Sequence, residues 1–70
     1  MLFELVGKVT LFVEVHNDGY QEHVSVREKV DCDDRGEVVD RAKSIIEGWP
    51  ERFSSGNKKV SKIEAELRIV

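Results

Sequence analysis

Cysteine is almost absent from this chain of 70 residues, and its scarcity excludes two common ways of stabilising a small protein. Cys32 is the only cysteine, so no intrachain disulfide can form. A closed zinc site is not predicted either, because Cys32, His16 and His23 lack the spacing that zinc ligands show. Domains below about 70–80 residues usually need extra stabilisation, which leaves oligomerisation as the expectation. A lone cysteine also favours a reducing compartment, so we expect a cytoplasmic protein.

Long apolar runs and a large excess of one charge are absent as well. The net charge of −3 comes from 14 acidic and 11 basic residues, too small an imbalance to indicate a nucleic-acid-binding surface. The apolar start, residues 1–8, contains Glu4 and Lys8 and lacks the basic segment and cleavage site of a signal peptide. No stretch approaches the ~18 apolar residues of a membrane span. The composition predicts a single folded domain over residues 1–70, without a membrane partner.

The first half of the chain alternates with period two, which is typical of strands with one buried face. From Phe3 to Val15 the odd positions are apolar or glycine. Asn17-Asp18-Gly19 indicates a turn, and residues 20–30 alternate in the opposite phase. Because a one-residue slip would move every side chain to the other face, the register is restricted.

Two hairpin registers keep both apolar sets together. One has a two-residue loop with Val13 opposite Val24, and the other has a four-residue loop with Val15 opposite Tyr20. We favour the four-residue loop, because it also places Val9 opposite Val26.

A helix and a last strand complete the pattern. Asp34, with Glu37 three residues later, resembles a capping box, and Gly48 with Pro50 predicts the helix end. Residues 50–59 are then a loop, and residues 60–70 alternate as a strand. The helix carries one apolar stripe, formed by Val38, Val39, Ala42, Ile45, Ile46 and Trp49. The predicted core includes Leu11, Val39, Ile46, Trp49 and Leu67.

These elements predict an α+β fold with ββαβ order. The first strand is the most apolar and is placed in the centre, which gives a three-stranded antiparallel sheet of order 2-1-3. The amphipathic helix packs on one face. At about 3.3 Å per residue, a first strand of fourteen residues is about 46 Å long, longer than the globule of roughly 30 Å expected for this chain. Either Gly7 breaks or bulges the strand, or the strand reaches a second subunit.

No set of residues predicts catalysis. The segment from Asp31 to Gly36 begins like an EF-hand calcium loop, but Arg35 and Ala42 stand where oxygen ligands are needed. Cys32 has several carboxylates nearby, which disfavour a thiolate, and we interpret it as a packing residue. His16 and His23 fall on an exposed strand face without a cleft. We therefore expect neither an enzyme nor a cofactor or metal site.

The sheet face opposite the helix is the predicted interaction surface. Apolar residues lie there among charges of both signs, an arrangement typical of protein interfaces. We expect a small protein-binding module, a self-associating regulator or inhibitor that acts through its sheet face or strand edge, as a homodimer. The alternative is a nucleic-acid-binding protein that uses Lys8, Phe12, Arg27 and Lys29. The residues predicted for partner binding or self-association are Leu2, Val6, Phe12, Arg27, Val60 and Val70.

The hairpin–helix–strand order in a short acidic chain resembles, in topology alone, small phage proteins that inhibit host nucleic-acid enzymes. One class of uracil-DNA glycosylase inhibitor is among them, and these proteins act as dimers. The resemblance implies an inhibitory protein partner and phage origin. No sequence motif accompanies it, so it assigns no residue a role.

Overall fold

A computed structural model describes all 70 residues and confirms the ββαβ order. Strands β1 (Leu2–Val15), β2 (Asp18–Asp31) and β3 (Lys58–Ile69) surround helix α1 (Arg35–Phe53) in the sequence. The strands form one antiparallel sheet of order β2-β1-β3, as predicted. Helix α1 packs on one face, called here the helix-covered face, and leaves the opposite outer face open.

The core lies between α1 and the odd-numbered residues of β1. Leu11 and Trp49 are buried as predicted, and Ile46 and Leu67 pack against them half-buried. The prediction for Val39 was wrong, because 43% of its surface is exposed on the flank of the helix. The buried apolar side chains are Phe3, Leu5, Val9, Leu11, Val13, Val26, Val30, Cys32, Val38, Ala42 and Trp49.

The hairpin has a two-residue loop, so the favoured four-residue loop was wrong. Val15 lies opposite Asp18 and Val13 opposite Tyr20, a register that neither alternative gave. His16, the first loop residue, has a positive φ of 54°. Hairpin turns of type I′ and type II′ both require a positive φ at this position. The predicted faces are nevertheless correct, because the register is displaced by an even number of residues.

This register places two carboxylates of β2 on the helix-covered face, opposite buried leucines. Glu22 lies across from Leu11 and Glu28 across from Leu5. Each carboxylate is neutralised from another element: Glu22 pairs with Lys58 at 3.2 Å, and Glu28 pairs with Arg52 at 2.6 Å. Both partners lie more than twenty residues after β2 in the sequence. The alternation of β2 alone therefore could not show that the two carboxylates are neutralised in this register.

Helix α1 begins as predicted but ends later than predicted. The Asp34 carboxylate accepts a hydrogen bond from the Gly36 amide at 2.8 Å, which confirms the N-cap. Glu37 pairs with Arg41 at 2.9 Å instead of completing a capping box. The helix continues past Pro50 to Phe53, whose ring packs against the core and meets Trp49 edge-on. That burial stabilises a last turn which the proline by itself disfavours.

A bulge in β3 overturns the predicted location of Val60. Thr10 pairs with Lys62 but Leu11 pairs with Val60, so Ser61 is an extra residue in β3. The Ser61 hydroxyl donates to the Thr10 carbonyl at 3.2 Å. Because the bulge reverses the alternation, Val60 turns from the outer face to the helix-covered face and packs against the core.

The length of β1 is explained by the shape of the molecule. The chain measures 49 × 17 × 13 Å, so the expected globule of roughly 30 Å was wrong. Strand β1 runs unbroken past Gly7, so the alternative that Gly7 breaks or bulges the strand was wrong. The lack of a side chain at Gly7 instead gives space to the Trp49 indole, because a Cβ at Gly7 would lie 2.5 Å from Trp49 Cζ3.

Gly7→Ala should therefore destabilise the fold. The added methyl group overlaps the indole, and overpacking of this kind costs about 1–3 kcal/mol. Chemical denaturation of the wild type and variant measures the difference. Gly48→Ala is the matched control: nothing lies within 4 Å of the added Cβ, and alanine in a helix should stabilise by roughly 0.5–1 kcal/mol. Equal stability of Gly7→Ala and wild type would contradict the close packing of Trp49 on β1.

Candidate interaction site on the outer sheet face

The outer face is a single uncovered layer built from the even-numbered residues of β1 and their neighbours. Val6 lies at its centre, with Arg27 of β2 on one side and Glu66 of β3 on the other. One row further along, Lys8 lies between Ser25 and Glu64. Val6 is thus flanked by charges of both signs, whereas the Lys8 row is polar throughout.

Two adjoining hollows form a trough along β1. The first, of about 470 Å³, surrounds Val6 and Lys8 and is bordered by Arg27 and Glu66. The second, of about 440 Å³, surrounds Thr10 and is bordered by His23 and Lys62. Lys8 and Glu64 line both hollows, so the trough extends beside residues 6–10 of β1. It is open to solvent and suits an extended partner more than an enclosed small ligand.

The charges along β3 are paired within the strand. Lys62 contacts Glu64 at 2.8 Å, and Arg68 contacts Glu66 at 3.0 Å. The hydrogen bond from Lys62 lowers the pKa of Glu64, with smaller contributions from the charges of Lys62, Lys8 and His23. The hydrogen bond from Arg68 lowers the pKa of Glu66 in the same way.

The cations nearer to β2 differ from those on β3. Arg27, Lys29 and Lys8 make no ion pair within 4.0 Å. Arg27 and Lys29 are both exposed. This corner of the outer face therefore offers positive charges that are free to meet a partner.

Four of the predicted site residues lie on the outer face, spread along β1 and β2, and one more borders it. Leu2 and Val6 are half-buried, and Val70 is 68% exposed at the end of the sheet beside Leu2. Phe12 is 44% exposed, and its ring covers Gly19. Part of its role is therefore structural, because it shields the backbone of the hairpin. Arg27 extends beside Val6, whereas Val60 belongs to the other face.

The bulge at Ser61 was the feature missed from the sequence. Apolar residues of β3 recur at positions 63, 65, 67 and 69, but the preceding one, Val60, is three residues from Ile63. Three residues in a strand of period two indicate one extra residue. The signal was present, and it assigns Val60 to the core.

The remaining reactive side chains are held in structural contacts. Cys32 is buried against Phe3 and Val38, and its burial raises the pKa of the thiol, as do the nearby acidic residues. Thr10 Oγ1 and His23 Nδ1 are hydrogen-bonded at 3.1 Å on the outer face. No group of three or more histidine, cysteine or carboxylate side chains converges in a way that could hold a metal ion.

No protein-family model, curated protein or solved structure matches the chain. Helix α1 lacks the apolar length needed to cross a membrane. The geometry of the outer face and strand edges is therefore the basis for any functional interpretation.

Lys62→Met should raise the pKa of Glu64 toward the ordinary value for glutamate. Glu66 keeps its partner Arg68 in this variant and should titrate as in the wild type. Carbon-detected NMR over a pH series follows both carboxyl groups. Since pairing lowers the folded-state pKa of Glu64, its contribution to stability is present above the ordinary pKa and is lost as pH falls through the lowered one. An ordinary pKa for Glu64 in the wild type would refute the pairing.

Proposed function

We propose that this chain is a non-enzymatic protein-binding module, a self-associating regulator or inhibitor whose outer face receives a protein partner. The observation that carries the proposal is the uncovered trough around Val6. Val6 is the one apolar side chain at the centre of the trough, and charges of both signs border it, an arrangement that protein interfaces also show. The paired charges Lys62–Glu64 and Arg68–Glu66 give the border a fixed pattern that a partner of complementary charge recognises.

The nucleophile and bases of the chain support a binding role over catalysis. The Cys32 thiol is buried, and its raised pKa disfavours the reactive thiolate. His23 shares the open trough with Thr10 and Lys62, where nothing excludes water from a reacting group. An open sheet face binds by area and complementarity, without a chemical step.

The large exposed surface supports self-association. A typical monomer of 8.0 kDa exposes about 4,450 Å², whereas this chain exposes 5054 Å². Its radius of gyration is 14.2 Å, against about 11 Å for a compact chain of this length. Only 13 of 70 residues are buried, so further burial in an assembly adds to a small core.

Val6→Glu should abolish partner binding without unfolding the chain. The new carboxylate lies opposite Arg27, which can pair with it, but it places a charge at the apolar centre of the trough. Immobilised wild type and variant are compared for the proteins that they retain from the native cell extract, with circular dichroism as the folding check. Ser44→Glu, which adds the same charge on the exposed side of α1, is the control. A partner retained equally by all three chains would contradict the proposal.

Nucleic-acid binding is the second candidate, because Lys8, Arg27 and Lys29 on the outer face make no ion pair within 4.0 Å. Cations without ion-pair partners can contact the phosphates of a nucleic acid.

If this second candidate is correct, an oligonucleotide should bind at low salt, and affinity should fall steeply as salt rises. Fluorescence anisotropy with single-stranded and duplex oligonucleotides measures both effects. Arg27→Glu should weaken binding at least tenfold, whereas Lys43→Glu makes the same charge change on the helix and should have little effect. Absence of binding at low salt rejects this candidate and leaves the protein-binding proposal in place.

A further inference from the structure

The two free edges of the sheet differ in how well they are protected against pairing. Edge strands expose unpaired backbone groups, and inward-pointing charges are one natural protection. Strand β2 has this protection, because Glu22 and Glu28 lie on its helix-covered side and pair with Lys58 and Arg52. An incoming strand would have to pack beside these ion pairs.

The β3 edge lacks such protection beyond its bulge. Its residues on the helix-covered face are all apolar from position 63 onward, and Ile69 is 60% exposed. Between β3 and α1 runs a groove of about 220 Å³, bordered by Val39, Ala42, Ile46 and Leu67. A backbone edge without inward-pointing charges and an apolar groove therefore lie side by side.

The backbone of β3 is also oriented for pairing. The Val70 amide donates to the Leu2 carbonyl at 3.1 Å, so even-numbered residues of this part of β3 direct their amides and carbonyls toward β1. The odd-numbered residues, from Ile63 to Ile69, therefore direct theirs to the free edge. These same residues carry the apolar side chains of the helix-covered face. One contact between strands would therefore both pair the free backbone groups and bury the apolar side chains.

We propose that two copies of this chain pair through β3, antiparallel and about a two-fold axis at Leu67, to form one six-stranded sheet. The occupant of the groove is thus a second copy. This inference rests on the self-association proposed above and specifies the edge, the register and the residues that carry it.

The charges on the outer face of β3 and the bulge at Ser61 together select this register. An axis at Ile63 would also oppose unlike charges, Lys62 to Glu64, but it would include the bulge in the contact. Lys62, Glu64, Glu66 and Arg68 read plus, minus, minus, plus along the strand. Continuity of the faces requires that even-numbered residues lie opposite even-numbered ones. A two-fold axis at Ala65 opposes like charges throughout, and an axis at Glu64 or Glu66 opposes that carboxylate to itself. With the axis at Leu67, Glu66 meets Arg68 of the second copy twice, and no like charges are opposed.

The same register fills the groove. Ile69 of the second copy lies directly across from Ala65, at the mouth of the groove bordered by Val39 and Ile46. The contact includes residues 64–70 and does not reach the bulge at Ser61. The contact leaves the trough on the outer face open. The two-fold axis places the identical trough of the second copy on the same side of the six-stranded sheet.

Charge exchange at positions 66 and 68 tests the edge and the register together. Glu66→Arg and Arg68→Glu should each oppose like charges twice and weaken dimerisation at least tenfold, whereas the double variant should recover it. An axis at Glu64 or Glu66 predicts no recovery. Lys62→Glu is the matched control, because it breaks the same kind of intrastrand pair while the substituted residue itself lies outside the contact. Sedimentation equilibrium from 1 to 200 μM measures the dissociation constants, and circular dichroism confirms that each variant is folded.

Amide hydrogen exchange provides the second readout. In the wild-type dimer the amides of Ala65, Leu67 and Ile69 should exchange slowly, and in Glu66→Arg they should exchange rapidly, while Val70 changes less because it already bonds to β1. A wild type that dimerises but shows no recovery in the double variant, or protects β2 instead, overturns this inference and leaves self-association standing. A wild type that stays monomeric throughout the range overturns both.

Discussion

The contact between the Trp49 indole and the backbone of Gly7 determines how the whole molecule is assembled. The ring lies against the central strand at the one position of β1 where no side chain intervenes. Its Nε1 is buried without a protein hydrogen-bond partner, and the ring packs closely on the Gly7 backbone. Phe53 meets the indole edge-on and keeps the last turn of α1 helical past Pro50. The helix is thereby fixed over the middle of the sheet.

A helix fixed over the middle of this sheet cannot cover all of it. Its 19 residues span about 28 Å, whereas the molecule is 49 Å long. The ends of the helix-covered face, including Tyr20 and Ile69, are left exposed. The outer face has no covering layer at all. The same mismatch that limits the core thus supplies the surfaces on which the chain can meet partners or another copy.

The charged residues of β2 and β3 have different effects on the two edges of the sheet. Glu22 and Glu28 interrupt the apolar face of β2, and in isolation they weaken it as a strand. With Lys58 and Arg52 beside them they form ion pairs that shield the edge. Beyond its bulge, β3 places its charges only on the outer face, where they leave the edge open and give it a charge pattern.

Local patterns in the sequence determined the elements, their order and their faces. Period-two alternation, the Asp34 cap and the apolar stripe of α1 are properties of neighbouring residues, and they hold wherever the chain packs. The greater apolar character of β1 was also sufficient to place it in the centre of the sheet. Most of the predicted outer-face residues, including Val6 and Arg27, follow from the same alternation.

Only the tertiary structure decided the hairpin register, the end of the helix, the role of Gly7 and the side on which Val60 lies. Each depends on groups distant in sequence. Lys58 and Arg52 neutralise the carboxylates of β2. The Phe53 ring packs against the core although it follows Pro50, and the Trp49 indole occupies the space above Gly7. The bulge at Ser61 gave a local signal, yet its consequence for Val60 depends on pairing with β1. Alternation determines which side chains share a face of a strand. The free energy gained by burying that face depends on which residues of another element pack against it.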